Sequence, residues 1–344
     1  NEKISFIYMD QRGTGCSSGY PSGLTAQVAE RLTNYGSRDI VADAETIRGV
    51  VLGEKPWGIY GHSYGGNIVA RYLMLHPENV AFAFSFAGAT FADLSDLRLR
   101  FEKQQELWAR YAREYPDDAE KLKRIRARIP TDYCVPGLSI KLCGADGLDV
   151  IAVSMGFPHS WPMVHKIIVS MDEAGESLLQ VYADTMVNVA GSWLAISGMP
   201  GNVISWRDTQ GGYSDYTLAL ALRKSFLRDG IAVDSWPVSE LRLFTNVADP
   251  TVERLISQLR RDRIDSLDFR KIAENLKRFP AFPSVWVAGA DDAIVSPETV
   301  ENTVRRLKAA GAKNVELVVL PNVGHSGDTL PEVLSKIKKA VDSQ

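Results

Sequence analysis

A serine set between glycines, at a junction between a strand and a helix, constrains this chain most strongly. Residues 57–62, WGIYGH, are a short apolar run that predicts a strand, and residues 66–77 have helical periodicity and end at a proline. Between them, residues 61–65, GHSYG, fit the pattern G-x-S-x-G. We expect a sharp turn that lifts the Ser63 hydroxyl above the carboxyl edge of a sheet, with the glycines required because a Cβ there would clash with the neighbouring strand and helix.

Short apolar runs alternate with helical periodicity on both sides of a long interruption. Strands are predicted at 4–10, 57–62, 80–88, 282–289 and 314–321, and helices at 37–53, 66–77, 296–312 and from about 330. This alternation predicts an α/β fold with a mainly parallel sheet and helices on its faces. The core is expected at 1–92 and 279–344, with a mostly helical insertion at 93–278.

Composition argues against several classes of partner. With 344 residues, 45% of them hydrophobic and 24% charged, the chain has the make-up of a globular protein. A net charge of −3 gives no electrostatic reason to expect nucleic acid, and no stretch approaches the roughly 18 apolar residues of a membrane span. We therefore expect neither a nucleic acid nor a membrane as partner, and no metal or other cofactor.

Three cysteines are too few for a disulfide framework. Cys134 and Cys143 flank a Pro-Gly turn and either form a disulfide, in an oxidising compartment, or remain two free thiols. The sequence leaves that choice and the compartment open.

A serine nucleophile needs a base to take its proton. Of the five histidines, His325 directly follows the last predicted strand, which places it at the same sheet edge as Ser63. His62 is the immediate neighbour of Ser63, so its side chain is expected to point elsewhere. His325 is therefore the predicted base.

The base needs an acid that orients it, and residues 288–297, AGADDAIVSP, supply two candidates after the preceding strand. We favour Asp292, with Asp291 as its rival and Asp93 as a more distant third. The order serine, aspartate, histidine along the chain is that of an α/β-hydrolase triad.

Four segments resemble proline iminopeptidase-like α/β-hydrolases. Residues 9–19, MDQRGTGCSSG, resemble the Asp-Gln-Arg-Gly-x-Gly-x-Ser segment that follows a strand in that family, and GHSYGG resembles its serine turn. GADDAIVSPE and PNVGHS resemble its acid and base segments. The resemblance covers 1–90 and 280–344, and it implies the α/β-hydrolase fold, with the insertion as a helical cap over the site.

Residue by residue, the resemblance implies a catalytic triad. Ser63 is the expected nucleophile, His325 the base, Asp292 its partner, and the backbone N–H of Tyr64 one oxyanion donor. The implied activity is that of a serine aminopeptidase acting on short peptides through an acyl-enzyme.

Two alternatives to the aminopeptidase stay open. The insertion has no Trp-Glu pair, which proline iminopeptidases are expected to use to hold a free amino terminus, so a carboxylesterase or amidase is the second candidate. The third is a non-catalytic binding protein of the same fold. Trp161, Trp193 and Tyr213 are expected either to line an apolar acyl pocket or to be ordinary packing residues.

One part of the family's machinery has no counterpart in this sequence. In the family, the second oxyanion donor lies on a His-Gly-Gly-Pro-Gly-like loop after the third strand, and this loop would precede residue 4. The third strand of the family lies between the two strands that correspond to those predicted here at 4–10 and 57–62. We expect a separate N-terminal companion chain to complete the sheet and the oxyanion hole, giving a heterodimer. Direct pairing of 4–10 with 57–62 would contradict this.

Overall fold

A computed structural model gives the architecture of the chain. It describes residues 5–19, 33–88, 94–137, 142–149, 157–196, 266–327 and 331–342, and a few single positions, among them Thr90 and Asp208. None of the helices in these ranges combines the length and apolarity needed to cross a bilayer.

Within the described residues, four parallel strands form a sheet, at four of the five places where the sequence predicted a strand. They are β1 (Trp57–His62), β2 (Val80–Phe86), β3 (Ser284–Gly289) and β4 (Val315–Leu320), in the spatial order β1-β2-β3-β4. The prediction of an α/β fold with a parallel sheet is confirmed. Because parallel strands end at the same edge, the residues that follow β1, β3 and β4 lie along one side of the molecule.

The helices are α1 (Ser37–Leu52), α2 (Gly65–Leu75), α3 (Leu94–Glu114), α4 (Asp118–Arg128), α5 (Trp161–Glu173), α6 (Leu178–Ile196), α7 (Phe269–Arg278), α8 (Pro297–Ala309) and α9 (Pro331–Asp342). On one face of the sheet, α1, α2, α7 and α8 bury a large apolar cluster around Trp286. On the other face, Val333 and Ile337 of α9 pack against Phe84 and Phe86 of β2. Burial on both faces explains why the inner strands β2 and β3 are nearly continuous apolar runs.

The last helix of the predicted insertion packs against the sheet. α7 falls within the predicted range 93–278, yet Ile272, Ala273 and Leu276 are fully buried in the cluster shared with the sheet. Asn275 also donates through its side-chain amide to the carbonyl of Leu73 in α2, at 2.9 Å. α7 therefore belongs to the core.

The described part of the insertion has an apolar core of its own. Helices α3 to α6 bury residues such as Leu107, Tyr111 and Ile168. Cys134 and Cys143 form a disulfide, which settles the choice that the sequence left open. Within the insertion, the charged amphipathic pattern of residues 251–264 predicts a helix, and these residues lie outside the described ranges.

The prediction of a buried strand at 4–10 is wrong for its described part. Residues 5–10 have no strand structure, and Phe6, Ile7 and Tyr8 are 58%, 48% and 91% exposed. An apolar run becomes a strand only where a neighbour satisfies its backbone, and within the described ranges no strand pairs with the outer edge of β1. Residues 5–10 and β1 therefore do not pair with each other.

The glycines of the serine turn differ in the space that a Cβ atom would have. The sequence predicted that both motif glycines, Gly61 and Gly65, would be needed. A Cβ on Gly61 would meet the backbone of Gly65, and one on Gly66 would lie less than 3.0 Å from Gly88 Cα. A Cβ on Gly65 would meet nothing within 4 Å, so for Gly65 the prediction is wrong.

We expect Gly66→Ala to lower the free energy of unfolding by about 3 kcal/mol, because the backbone of α2 would have to move away from β2. Gly65→Ala is the matched control, and it should leave stability unchanged or raise it by about 0.5 kcal/mol, since alanine favours the helix. Urea denaturation midpoints at constant slope measure both changes. Equal midpoints for the two variants would contradict the predicted difference.

Candidate active site

Ser63 lies in a strained turn between β1 and α2. Its φ angle is +54°, in the left-handed region that non-glycine residues rarely occupy. Its N–H donates to the carbonyl of Phe86 in the neighbouring strand at 3.0 Å, and its carbonyl accepts from the N–H of Gly66 at 2.8 Å. The serine turn, residues 61–66, is therefore as sharp as the sequence predicted and is held from both sides.

His325 and Asp292 form a buried hydrogen-bonded pair. Nδ1 of His325 lies 2.8 Å from Oδ2 of Asp292, and both side chains are almost completely buried. The other carboxylate oxygen accepts from the N–H groups of Ile294 and Val295 at 2.8 and 2.9 Å. A carboxylate only accepts, so Nδ1 carries the proton and a neutral His325 keeps a lone pair on Nε2, as a general base requires.

Asp291, the rival acid, has a different partner. It forms a two-pronged ion pair with Arg110 of α3, with Nη2 of the guanidinium 3.1 Å from Oδ2. The hydrogen bond to Asp291 raises the pKa of Arg110. The structure thus brings Asp292, and not Asp291, to His325.

The loop after β4 returns across the sheet toward the serine turn. β4 lies three strands from β1, about 14 Å at the usual spacing. Residues 321–327, here called the base loop, nevertheless bring the backbone carbonyl of His325 to 2.8 Å from Nε2 of His62. The rings of His62 and His325 are also in contact, tilted by 38° with centroids 4.9 Å apart.

This geometry places the base beside the residue that precedes Ser63. Both side chains are described, and no hydrogen bond joins the Ser63 hydroxyl to the His325 ring. The ring of His62 is directed at the base loop, where its Nε2 meets the His325 carbonyl, and no hydrogen bond between the described side chains of His62 and Ser63 is present.

Tyr64 ties the serine turn to the insertion. Its hydroxyl donates to Asp208, a buried residue of the insertion whose carboxylate also accepts from the N–H and hydroxyl of Ser37, at 2.9 and 3.0 Å. The guanidinium of Arg71 lies 3.9 Å away and is also fully buried. Burial raises the pKa of Asp208, while these partners oppose the rise. Nothing in the local sequence pattern marked Asp208.

Other residues of the insertion also approach the base. The ring of Phe157 stands perpendicular to that of His325, with centroids 6.2 Å apart. Trp161 is buried in the insertion's own core, beneath Arg110, whereas the side chain of Trp193 and all of Tyr213 lie outside the described residues. In the part of the chain that the structure describes, no group of three or more His, Cys, Asp or Glu residues is arranged to hold a metal ion.

Comparison with known proteins gives a family match and short alignments. Residues 4–126 match the model of the alpha/beta hydrolase fold family. The chain is 34% identical to the proline iminopeptidase of Aeromonas sobria over 84 residues, which are 23% of this chain and 20% of that protein. It is 35% identical to the proline iminopeptidase of Xylella fastidiosa strain 9a5c over 77 residues, 22% of this chain and 21% of that protein. The chain thus spans about a fifth of the length of these curated relatives.

Among solved structures, an acetylester hydrolase from Corynebacterium glutamicum superposes with a TM-score of 0.41 and 13% identity, covering 96% of this chain and 75% of that one. A score this low carries no argument about activity.

Proposed function

We propose that this chain, which has an α/β-hydrolase fold and is similar to proline iminopeptidases, is a serine hydrolase acting through an acyl-enzyme on Ser63. The observation that carries the proposal is the buried His325–Asp292 pair, which the base loop holds next to a strained serine turn. A strained turn that presents a hydroxyl beside an oriented imidazole supports nucleophilic chemistry better than a structural role.

The residues divide the chemistry as follows. Nε2 of His325 takes the hydroxyl proton as the Ser63 oxygen attacks the substrate carbonyl, and the backbone N–H of Tyr64 donates to the resulting oxyanion. The imidazolium then gives its proton to the leaving amine or alcohol, which departs with the electrons of the broken bond. The same nitrogen then takes a proton from water, whose oxygen attacks the acyl carbon. The bond between that carbon and the Ser63 oxygen breaks, the imidazolium returns the proton to the Ser63 oxygen, and the acid is released. Throughout the reaction, Asp292 accepts the hydrogen bond from Nδ1–H of His325 and so holds the imidazole in one orientation.

Short peptides with a free amino terminus are the favoured substrates, because two relatives are named proline iminopeptidases. Small esters or amides are the second candidate, since the insertion lacks a Trp-Glu pair. The insertion serves as a cap in this proposal. Its support is the contact of Arg110 with Asp291 and of Phe157 with His325.

A fluorophosphonate probe, which reacts only with an activated serine, tests the proposal on the purified protein. We expect one label, mapped by peptide mass spectrometry to the segment containing Ser63. Proline and alanine arylamides, compared with short p-nitrophenyl esters, then separate an aminopeptidase from an esterase by kcat/KM. No label and no turnover of either class would favour the non-catalytic binding protein, for which the missing Ser63–His325 hydrogen bond is the supporting observation.

We also propose that a companion chain supplies a strand beside β1 and the second oxyanion donor. The support is the outer edge of β1, which no described strand pairs with, together with the exposed apolar side chains at 6–8. Intact mass spectrometry of the labelled protein should show a second polypeptide in stoichiometric amount. Full labelling and turnover by this chain alone would contradict the companion.

A further inference from the structure

His62 is a partly buried histidine of the serine turn. The proposed chemistry does not use His62, yet its side chain contacts the base loop directly. Its Nε2 lies 2.8 Å from the backbone carbonyl of His325. A carbonyl oxygen only accepts, so Nε2 of His62 carries a proton and donates it. The carbonyl of His325 therefore determines that the proton of His62 is on Nε2.

The ring of His62 also supports the ring of the base. It lies against the imidazole of His325 on one side, with centroids 4.9 Å apart, and against the ring of Phe86 at 5.5 Å. The ring of His325 thus has the tilted ring of His62 and the perpendicular ring of Phe157 as neighbours, while Asp292 holds its Nδ1.

The contact between His62 and the base loop joins the ends of two strands that are not neighbours in the sheet. β1 and β4 are the outer strands in the order β1-β2-β3-β4, so no ladder hydrogen bond joins the strand that precedes Ser63 to the strand that precedes His325. His62 ends β1 and is covalently bonded to Ser63. Its hydrogen bond to the base loop therefore links the serine turn directly to the loop that carries His325.

We propose that His62 is a positioning residue for the general base, acting through the His325 carbonyl and ring to hold Nε2 of His325 within reach of Ser63. The proposal rests on the function proposed above for Ser63 and His325. Misplacing a catalytic group by about 1 Å can lower a rate by about 100-fold, so a single hydrogen bond at this point has a large kinetic consequence.

Two variants test separately the hydrogen-bond donor and the volume of the His62 side chain. His62→Gln keeps an N–H donor at nearly the same reach, whereas His62→Leu keeps comparable volume without a donor. We expect kcat to fall about 10- to 100-fold in His62→Leu with KM within about twofold, and within about fivefold of wild type in His62→Gln. Tyr60→Leu is the matched control, because Tyr60 lies on the same strand and face and stacks on Phe84, away from His325. It should keep kcat within about twofold.

Hydrogen exchange of the base loop gives a readout that does not depend on activity. Peptides covering 321–327 should exchange about tenfold faster in His62→Leu and at the wild-type rate in His62→Gln. Equal exchange and equal kcat in both variants and wild type would overturn the proposal, and so would equal losses in both variants. If the wild-type protein takes no fluorophosphonate label and turns over no substrate, the proposed function fails, while the exchange comparison still decides whether His62 holds the base loop.

Discussion

Ser63→Ala should lower kcat by about a million-fold for whichever substrate class the protein turns over, and should abolish the fluorophosphonate label. The alanine methyl group removes the nucleophile and leaves the binding surface and the oxyanion donors intact, so KM should change little. Steady-state kinetics at substrate concentrations that span KM measure both quantities.

Stability provides the control for this variant. Alanine keeps the Cβ that makes φ = +54° unfavourable, so the free energy of unfolding should stay within about 0.5 kcal/mol of wild type. Ser17→Ala, in the exposed loop of residues 9–19, should keep both the label and the activity. A Ser63→Ala protein that retains more than about a hundredth of wild-type kcat would exclude Ser63 as the nucleophile.

Asp292→Asn should lower kcat by about 10,000-fold while the fold stays intact. The backbone N–H groups of Ile294 and Val295 fix which oxygen of the side chain they bind. In the variant the amide oxygen keeps those two bonds, so the NH₂ group must face Nδ1 of His325. The imidazole then accepts at Nδ1 and carries its proton on Nε2, where it can no longer take the proton of Ser63.

Asp291→Asn is the matched control, one residue away and of the same chemistry. Its partner Arg110 is one-third exposed, and an ion pair of that kind contributes little once solvent screens it. We expect kcat to fall by less than about tenfold. A larger loss in Asp291→Asn than in Asp292→Asn would reverse the assignment of the acid.

The sheet could be predicted from the sequence because its signals are local. Each of the four strands is an apolar run bounded by Gly, Pro or Asn, and the structure places their ends within two residues of the predictions. The placement of Ser63, Asp292 and His325 after three of these strands followed from the parallel arrangement alone.

The remaining features depend on contacts that no local pattern encodes. Residues 5–10 have the composition of a strand, but pairing requires a neighbour elsewhere in space. The ion pair between Arg110 and Asp291 joins residues 181 positions apart, and the bond between Tyr64 and Asp208 spans 144. The partner of His62 could not be predicted either, because it depends on the path of the base loop and not on the strand that His62 ends.

The buried carboxylate of Asp208 also limits how this protein can be re-engineered. A chimera in which another hydrolase's insertion replaces this one would lose the acceptor for the Tyr64 hydroxyl and leave the guanidinium of Arg71 buried without its counter-charge. Such grafts should succeed only when the donor segment carries an acid at the equivalent place, or when Arg71 and Tyr64 are exchanged together with it. The segment that carries Asp208 and the scaffold that carries Ser63 are therefore not separable modules in this molecule.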